Sequence, residues 1–119
     1  MAGFGALLDA CVLVPVALAD ILLRVAEFDV YRPLWSDKIL EEVRAAVLEI
    51  HPEMAPSRVD ARLHSMNEAF SDACVQGWEP LMEGLVMPDY NDRHVVAAAV
   101  RGRAELIVTA NLKDFPTVF

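Results

Sequence analysis

Short apolar runs alternate with longer stretches of helical periodicity along this chain, and that alternation limits the folds open to it more than any other feature. Ala6-Leu7-Leu8 reads as a buried strand that stops at Asp9, and Val16 through Phe28 carries a helical repeat in Leu18, Ile21, Leu22 and Val25. Tyr31 to Trp35 is a second short strand. Ser36 is placed to cap a helix that runs to about Ile50 and is stopped by Pro52. Ser57 with Asp60 resembles a capping arrangement that opens another helix toward Phe70. These two helices, about residues 36–70, are expected to pair as an antiparallel arm. A further helix begins near Asn91, and Glu105-Leu106-Ile107-Val108-Thr109 is the clearest strand. Strands joined through helices predict a parallel sheet with helices packed on it.

At 119 residues the chain has room for one domain, and a 55% hydrophobic content is enough to fill its core. Ten Lys and Arg against eighteen Asp and Glu leave a formal charge of −8, which argues against a general nucleic-acid binder that grips phosphates with a basic surface. That argument weakens if several carboxylates are neutralised by a divalent ion, so net charge does not decide the substrate. The longest uncharged stretch, Ala10 to Ala19, contains Pro15 and is far shorter than the roughly 20 residues that cross a bilayer. No membrane span is expected. No Lys or Arg precedes the first apolar segment, so a secretory signal is not expected either, and a cytoplasmic location follows. Cys11 and Cys74 belong to no C-x-x-C pair or Cys/His pattern and are read as reduced core thiols.

The acids carry the chemical signal. Asp9 closes an apolar strand, and in open α/β sheets ligands bind at the carboxyl ends of strands; the plainer explanation is a turn residue. At about 100° per residue, Ile39, Val43, Val47 and Ile50 form a stripe whose centre lies roughly 100° from Glu42 and about 160° from Glu41. Glu42 therefore borders the buried face and Glu41 points to water, although both would also suit an ordinary helix surface. Asp92 is followed by Val96 and Ala99 at i+4 and i+7, which puts it on its helix's buried face, with Arg93 and His94 directed elsewhere. Helix capping by Asp89 and Asp92 explains one of these acids well and two less well. Gathered carboxylates repel one another, and Mg²⁺ or Mn²⁺ relieves the repulsion while supplying a catalyst for phosphoryl chemistry.

Other chemistries fit less well. The chain has no Gly-x-Ser-x-Gly elbow and no Gly-rich phosphate loop, and Cys11 has no evident base. His51, His64 and His94 lack ligand spacing and are read as surface or hinge residues. Trp35 and Trp78 are read as core or interface.

Four fragments in order, Leu7-Leu8-Asp9-Ala10-Cys11-Val12-Leu13, Ile39-Leu40-Glu41-Glu42-Val43, Pro88-Asp89-Tyr90-Asn91-Asp92-Arg93-His94-Val95-Val96-Ala97-Ala98-Ala99 and Ile107-Val108-Thr109-Ala110-Asn111-Leu112-Lys113-Asp114-Phe115-Pro116, together resemble a PIN domain. More narrowly, they are similar to the bacterial branch that includes VapC-type toxin ribonucleases. The resemblance implies a single-domain α/β/α sandwich around a parallel sheet. It also implies acids that bind Mg²⁺ or Mn²⁺ and direct hydrolysis of RNA phosphodiester bonds. Carried over by position, Asp9 matches the first metal-binding aspartate, Glu42 the helical glutamate and Asp92 the third acid. Asn111 stands where many relatives have a fourth aspartate. Asp114 is placed to take over that role, Asp89 to supplement the site and Arg93 to orient a phosphate, although a solvated helix residue is the plainer explanation for Arg93. Cys11 occupies a position where relatives often have a small polar residue.

The resemblance further implies a cognate antitoxin that inserts a basic side chain among the acids, and a homodimer. Relatives commonly continue beyond the Asp-Phe segment, so the chain is read as a complete minimal domain, a truncated reading frame or a fragment. The rival from another class is a non-catalytic PIN-like binding or assembly module with an incomplete metal site, a reading to which Asn111 gives some ground.

Overall fold

The computed structural model describes residues 3–85 and 90–110, without the side chains of Tyr90 and Asn91. Three parallel strands form the sheet in the order β2-β1-β3: β1 is Phe4–Leu8, β2 is Tyr31–Leu34 and β3 is Leu106–Val108. The connection from β1 to β2 runs through two helices, α1 (Ala10–Leu13) and α2 (Val16–Glu27). The return to β3 runs through α3 (Asp37–Ile50), α4 (Pro56–Ala69), a 3-10 segment (Glu79–Gly84) and α5 (Tyr90–Arg101). This is the single α/β domain that the alternating pattern predicts.

β1 lies in the middle of the sheet, and its Ala6, Leu7 and Leu8 are almost wholly enclosed. A central parallel strand covered on both faces needs a continuous apolar run rather than an alternating one, and the sequence supplies it. Leu7 pairs with Leu34 on one side and Ile107 on the other, and Leu8 with Val108. Beyond β2 the chain adds one parallel bridge, Trp35 to Cys74, closed by Trp35 N–H to Ala73 O at 3.0 Å and Val75 N–H to Trp35 O at 2.7 Å. Glu105 extends the other side by donating its backbone N–H to Gly5 O at 2.8 Å, and its carboxylate accepts the Gly5 N–H at 2.6 Å.

Ser36 caps α3 as expected, its hydroxyl oxygen accepting the Ile39 N–H at 3.2 Å. Ile39, Leu40, Val43 and Val47 form the buried stripe of that helix. The capping expected of Ser57 and Asp60 is corrected. α4 starts two residues earlier than a Ser57 cap would place it, at Pro56 with Ala55 as N-cap and no side-chain cap, because proline at the first turn needs no N–H partner. Asp60 is instead held by Arg44 of α3 at 2.7 Å, across the contact between the two helices. Arg62 ties α4 to the end of α1 by donating to the carbonyls of Leu13 and Val14.

The helix expected from Val16 through Phe28 is present as α2, but its large apolar residues are not the ones it buries. Ala19 and Ala26 are its buried residues, with Leu22 and Leu23 partly covered, while Leu18, Ile21 and Val25 are exposed. Alanine lets a helix approach its neighbours closely, so the small residues rather than the large ones face the packed side. Asp29, in the left-handed conformation (φ 59°), turns the chain after this helix.

Tyr31 begins β2 and donates its hydroxyl to Leu22 O of α2 at 2.6 Å. Burial pushes its phenol up to about 12. The fold holds the neutral phenol, so this contribution to stability is intact below the ordinary value near 10 and is lost as pH climbs toward 12. A Tyr31→Phe variant is expected to lose about 1 kcal/mol at neutral pH. It should also show a smaller decline in stability between those two pH values, as measured by urea unfolding at each pH.

Candidate active site

The parallel register builds the first part of the site. Because Leu8 pairs with Val108, Asp9 and Thr109 leave neighbouring strands side by side at the carboxyl edge, and the Asp9 N–H reaches Val108 O at 3.1 Å. Thr109 then donates its hydroxyl to Asp9 Oδ2 at 3.0 Å. Asp9 is also the N-cap of α1, accepting the Ala10 N–H on Oδ1 at 2.8 Å. The Cys11 thiol lies 3.5 Å from Asp9 Oδ2 and 3.2 Å from Thr109 Oγ1, and its sulfur accepts the Ala110 N–H at 3.2 Å.

Asp9 is 9% exposed, and its hydrogen-bond partners among the described residues are a backbone amide, a hydroxyl and a thiol, all neutral. A buried acid surrounded only by neutral donors is the arrangement that a cation stabilises.

Asp92 sits in the first turn of α5 and is 7% exposed. α5 packs against β1 and β3 and runs back to feed the parallel strand β3, so its N-terminal turn belongs to the same carboxyl edge as Asp9. Glu42 projects from α3 with its side chain 28% exposed, and Glu41 is exposed, as the helical wheel predicts.

The largest correction concerns His94. It is fully enclosed rather than a surface or hinge residue, its ring 5.9 Å from that of Trp78 and its Nε2 2.9 Å from Glu42 Oε2. The helical wheel assumes one buried face, but α5 is packed on one side by the sheet and on another by the 3-10 segment. Both Asp92 and His94, two residues apart, are covered for that reason. His51 and His64 are exposed, as expected. Arg93 is partly covered, and its Nε is buried with no hydrogen-bond partner among the described residues.

The cysteines are corrected as well. Both are free but only partly buried. Cys11 belongs to the Asp9 cluster, and Cys74 donates to Asp37 Oδ1 at 3.2 Å. Its thiol is pushed up to about 11, first by burial and then by Asp37. Trp35 and Trp78 are core residues, as expected.

Asp89, Asn111 and Asp114 lie outside the described residues. Among the described residues, no three His, Cys, Asp or Glu side chains come close enough together to hold a metal ion. The structure therefore joins Asp9 to Cys11 and Thr109, and Glu42 to His94, without gathering Asp9, Glu42 and Asp92 into one ligand set. Neither the Cys11–Thr109 contact nor the Glu42–His94 pair was foreseen, since each joins residues far apart in sequence. A cavity of 440 Å³ near Val14, Val47, Ile50, Met54 and Val59 contains none of the predicted site residues. No helix among the described residues is long and apolar enough to cross a membrane.

A family model described as "PIN domain" matches residues 5–113. A Mycobacterium tuberculosis protein named "Putative ribonuclease VapC50" is 78% identical over 27 residues. That stretch is 23% of this chain and 16% of the relative, so the similarity covers a small part of that protein's length. No solved structure matches the chain.

Proposed function

The chain belongs to the PIN-domain family, and from that premise we propose that it is a divalent-metal-dependent endoribonuclease, the toxin of a toxin–antitoxin pair. The observation that carries this reading is Asp9, a buried acid at the carboxyl edge of the sheet whose hydrogen-bond partners among the described residues are neutral. The similarity to a protein named as a VapC ribonuclease supports the choice of RNA as substrate.

The donors fit a hard ion in kind. Asp9 and Asp92 offer buried carboxylate oxygens, and Glu42 offers a third carboxylate from the adjoining helix. In this reading Asp9, Glu42 and Asp92 are the residues that would hold Mg²⁺ or Mn²⁺. Asp89, Asn111 and Asp114 supply further oxygens. When bound, such an ion neutralises charge on phosphate oxygens and makes a water a stronger nucleophile. The protein's own part is to orient. The Asp9 carboxyl is pinned by Ala10 N–H and the Thr109 hydroxyl, which leaves little freedom at the position where a water must line up with the phosphorus. Arg93, with a buried Nε that lacks a partner among the described residues, is the cation that contacts the phosphate.

The same reading includes a cytoplasmic location, a homodimer, a helical arm made of α3 and α4, and an antitoxin whose basic side chain enters among the acids. The test is cleavage of a fluorescent, quenched RNA by the purified chain. Activity with Mn²⁺ or Mg²⁺ that disappears with EDTA and returns on adding the ion supports the proposal, and cleavage unaffected by EDTA rejects it.

One observation favours a second reading, a non-catalytic PIN-like binding or assembly module: no three potential ligands converge among the described residues. Titration calorimetry with Mn²⁺ separates the two. The nuclease has a site that Asp9→Ala removes, and the module has none.

A further inference from the structure

An imidazole grips Glu42, one of the proposed ligands. The His94 ring is wholly enclosed against Trp78, and its Nε2 lies 2.9 Å from Glu42 Oε2. A carboxylate accepts, so Nε2 carries the proton. Nδ1 is buried with no hydrogen-bond partner among the described residues. Glu42 itself comes from a helix position that is only partly covered, with its side chain 28% exposed. A glutamate on such a surface samples several rotamers, and an enclosed donor selects one of them.

We infer that His94 is a positioning residue for Glu42: its Nε2–H holds Oε2 and leaves Oε1 to serve the metal site. The inference rests on the nuclease reading above and deepens it. Because His94 is immobilised by α5 and Trp78, it transmits the position of α5, which also bears Asp92, to an acid on α3. Two ligands from separate helices are thereby kept in fixed relation. Outer partners of this kind commonly change metal affinity by about 10–100-fold when removed.

The experiment is Mn²⁺ titration calorimetry, with RNA cleavage against Mn²⁺ concentration as a second readout, on the wild-type chain, His94→Leu, His94→Gln, His94→Asn and Glu42→Gln, with the double variant. His94→Leu is expected to weaken Mn²⁺ binding by about 10–100-fold. His94→Gln, whose amide nitrogen reaches the place of Nε2, should keep most of the affinity. His94→Asn, whose amide stops near the place of Nδ1, should not. In a Glu42→Gln background, His94→Leu should cause no additional loss, because the acid to be positioned is gone.

Wild-type affinity in His94→Leu overturns the inference and leaves the nuclease reading standing. So does an equal loss in the Gln and Asn variants, or an undiminished effect of His94→Leu without Glu42. If His94→Leu does not fold, the Gln and Asn pair decides. A wild-type chain that binds no Mn²⁺ and cleaves no RNA overturns both.

Discussion

In an Asp9→Asn variant, metal-dependent RNA cleavage is expected to fall by more than about 100-fold, beyond the range typical of an outer partner, while the fold is retained. The reason lies in what asparagine keeps. Its Oδ1 can still accept the Ala10 N–H that starts α1, and it occupies nearly the same volume between the Thr109 hydroxyl and the Cys11 thiol. The charge goes, and Oδ2 becomes an amide nitrogen, so the Thr109 hydroxyl must turn from donor to acceptor. The side chain keeps its volume and the α1 cap, so the melting temperature should stay close to that of the wild type while activity is lost. Asp92→Asn should behave similarly in cleavage. Thermal melting beside the quenched-RNA assay checks both halves of the expectation. Full activity in Asp9→Asn would reject Asp9 as a ligand, and a collapse of folding would show that the charge serves structure.

The second large effect is on stability. Trp35→Ala is expected to cost about 3–5 kcal/mol, which is a large share of what a domain of this size has in total. Trp35 is fully enclosed, its indole meets the Phe70 ring edge-on at 6.2 Å, and its Nε1–H is satisfied by Asn67 Oδ1 at 2.8 Å. It joins the edge of the sheet to α4 and to the segment that extends β2. Truncation leaves a cavity and strips Asn67 of its donor. Trp35→Phe, which keeps most of the volume and loses the hydrogen bond, should cost much less. Urea unfolding checks this through the midpoint, with the slope unchanged if the effect is on the native state.

How far the residues alone reveal the site differs from acid to acid. The place of Asp9 was legible because the end of a buried apolar run marks the carboxyl end of a strand in any parallel α/β arrangement, whereas its role as a ligand is part of the proposal. Glu42 was separable from Glu41 because helical geometry alone puts them at different angles to the apolar stripe, and the burial agrees. His94 was misplaced because a helical wheel describes a helix with a single partner, whereas α5 is packed by the sheet and by the 3-10 segment. In α2 the apolar repeat identifies the helix, but packing on β2 and α1 buries Ala19 and Ala26 rather than its large residues.

Local patterns decided the order of strands and helices, the parallel sheet, the Ser36 cap and the placing of Asp9 at a strand end. Each depends on residues within a few positions of one another, and their physics is that of single turns and single strands. Which side chains meet is another matter. The pairing of Glu42 with His94, the Cys11–Thr109 contact beside Asp9 and the choice of alanines for the buried face of α2 arose only when distant segments packed. Such contacts depend on the positions of whole elements in space, and no local periodicity encodes those.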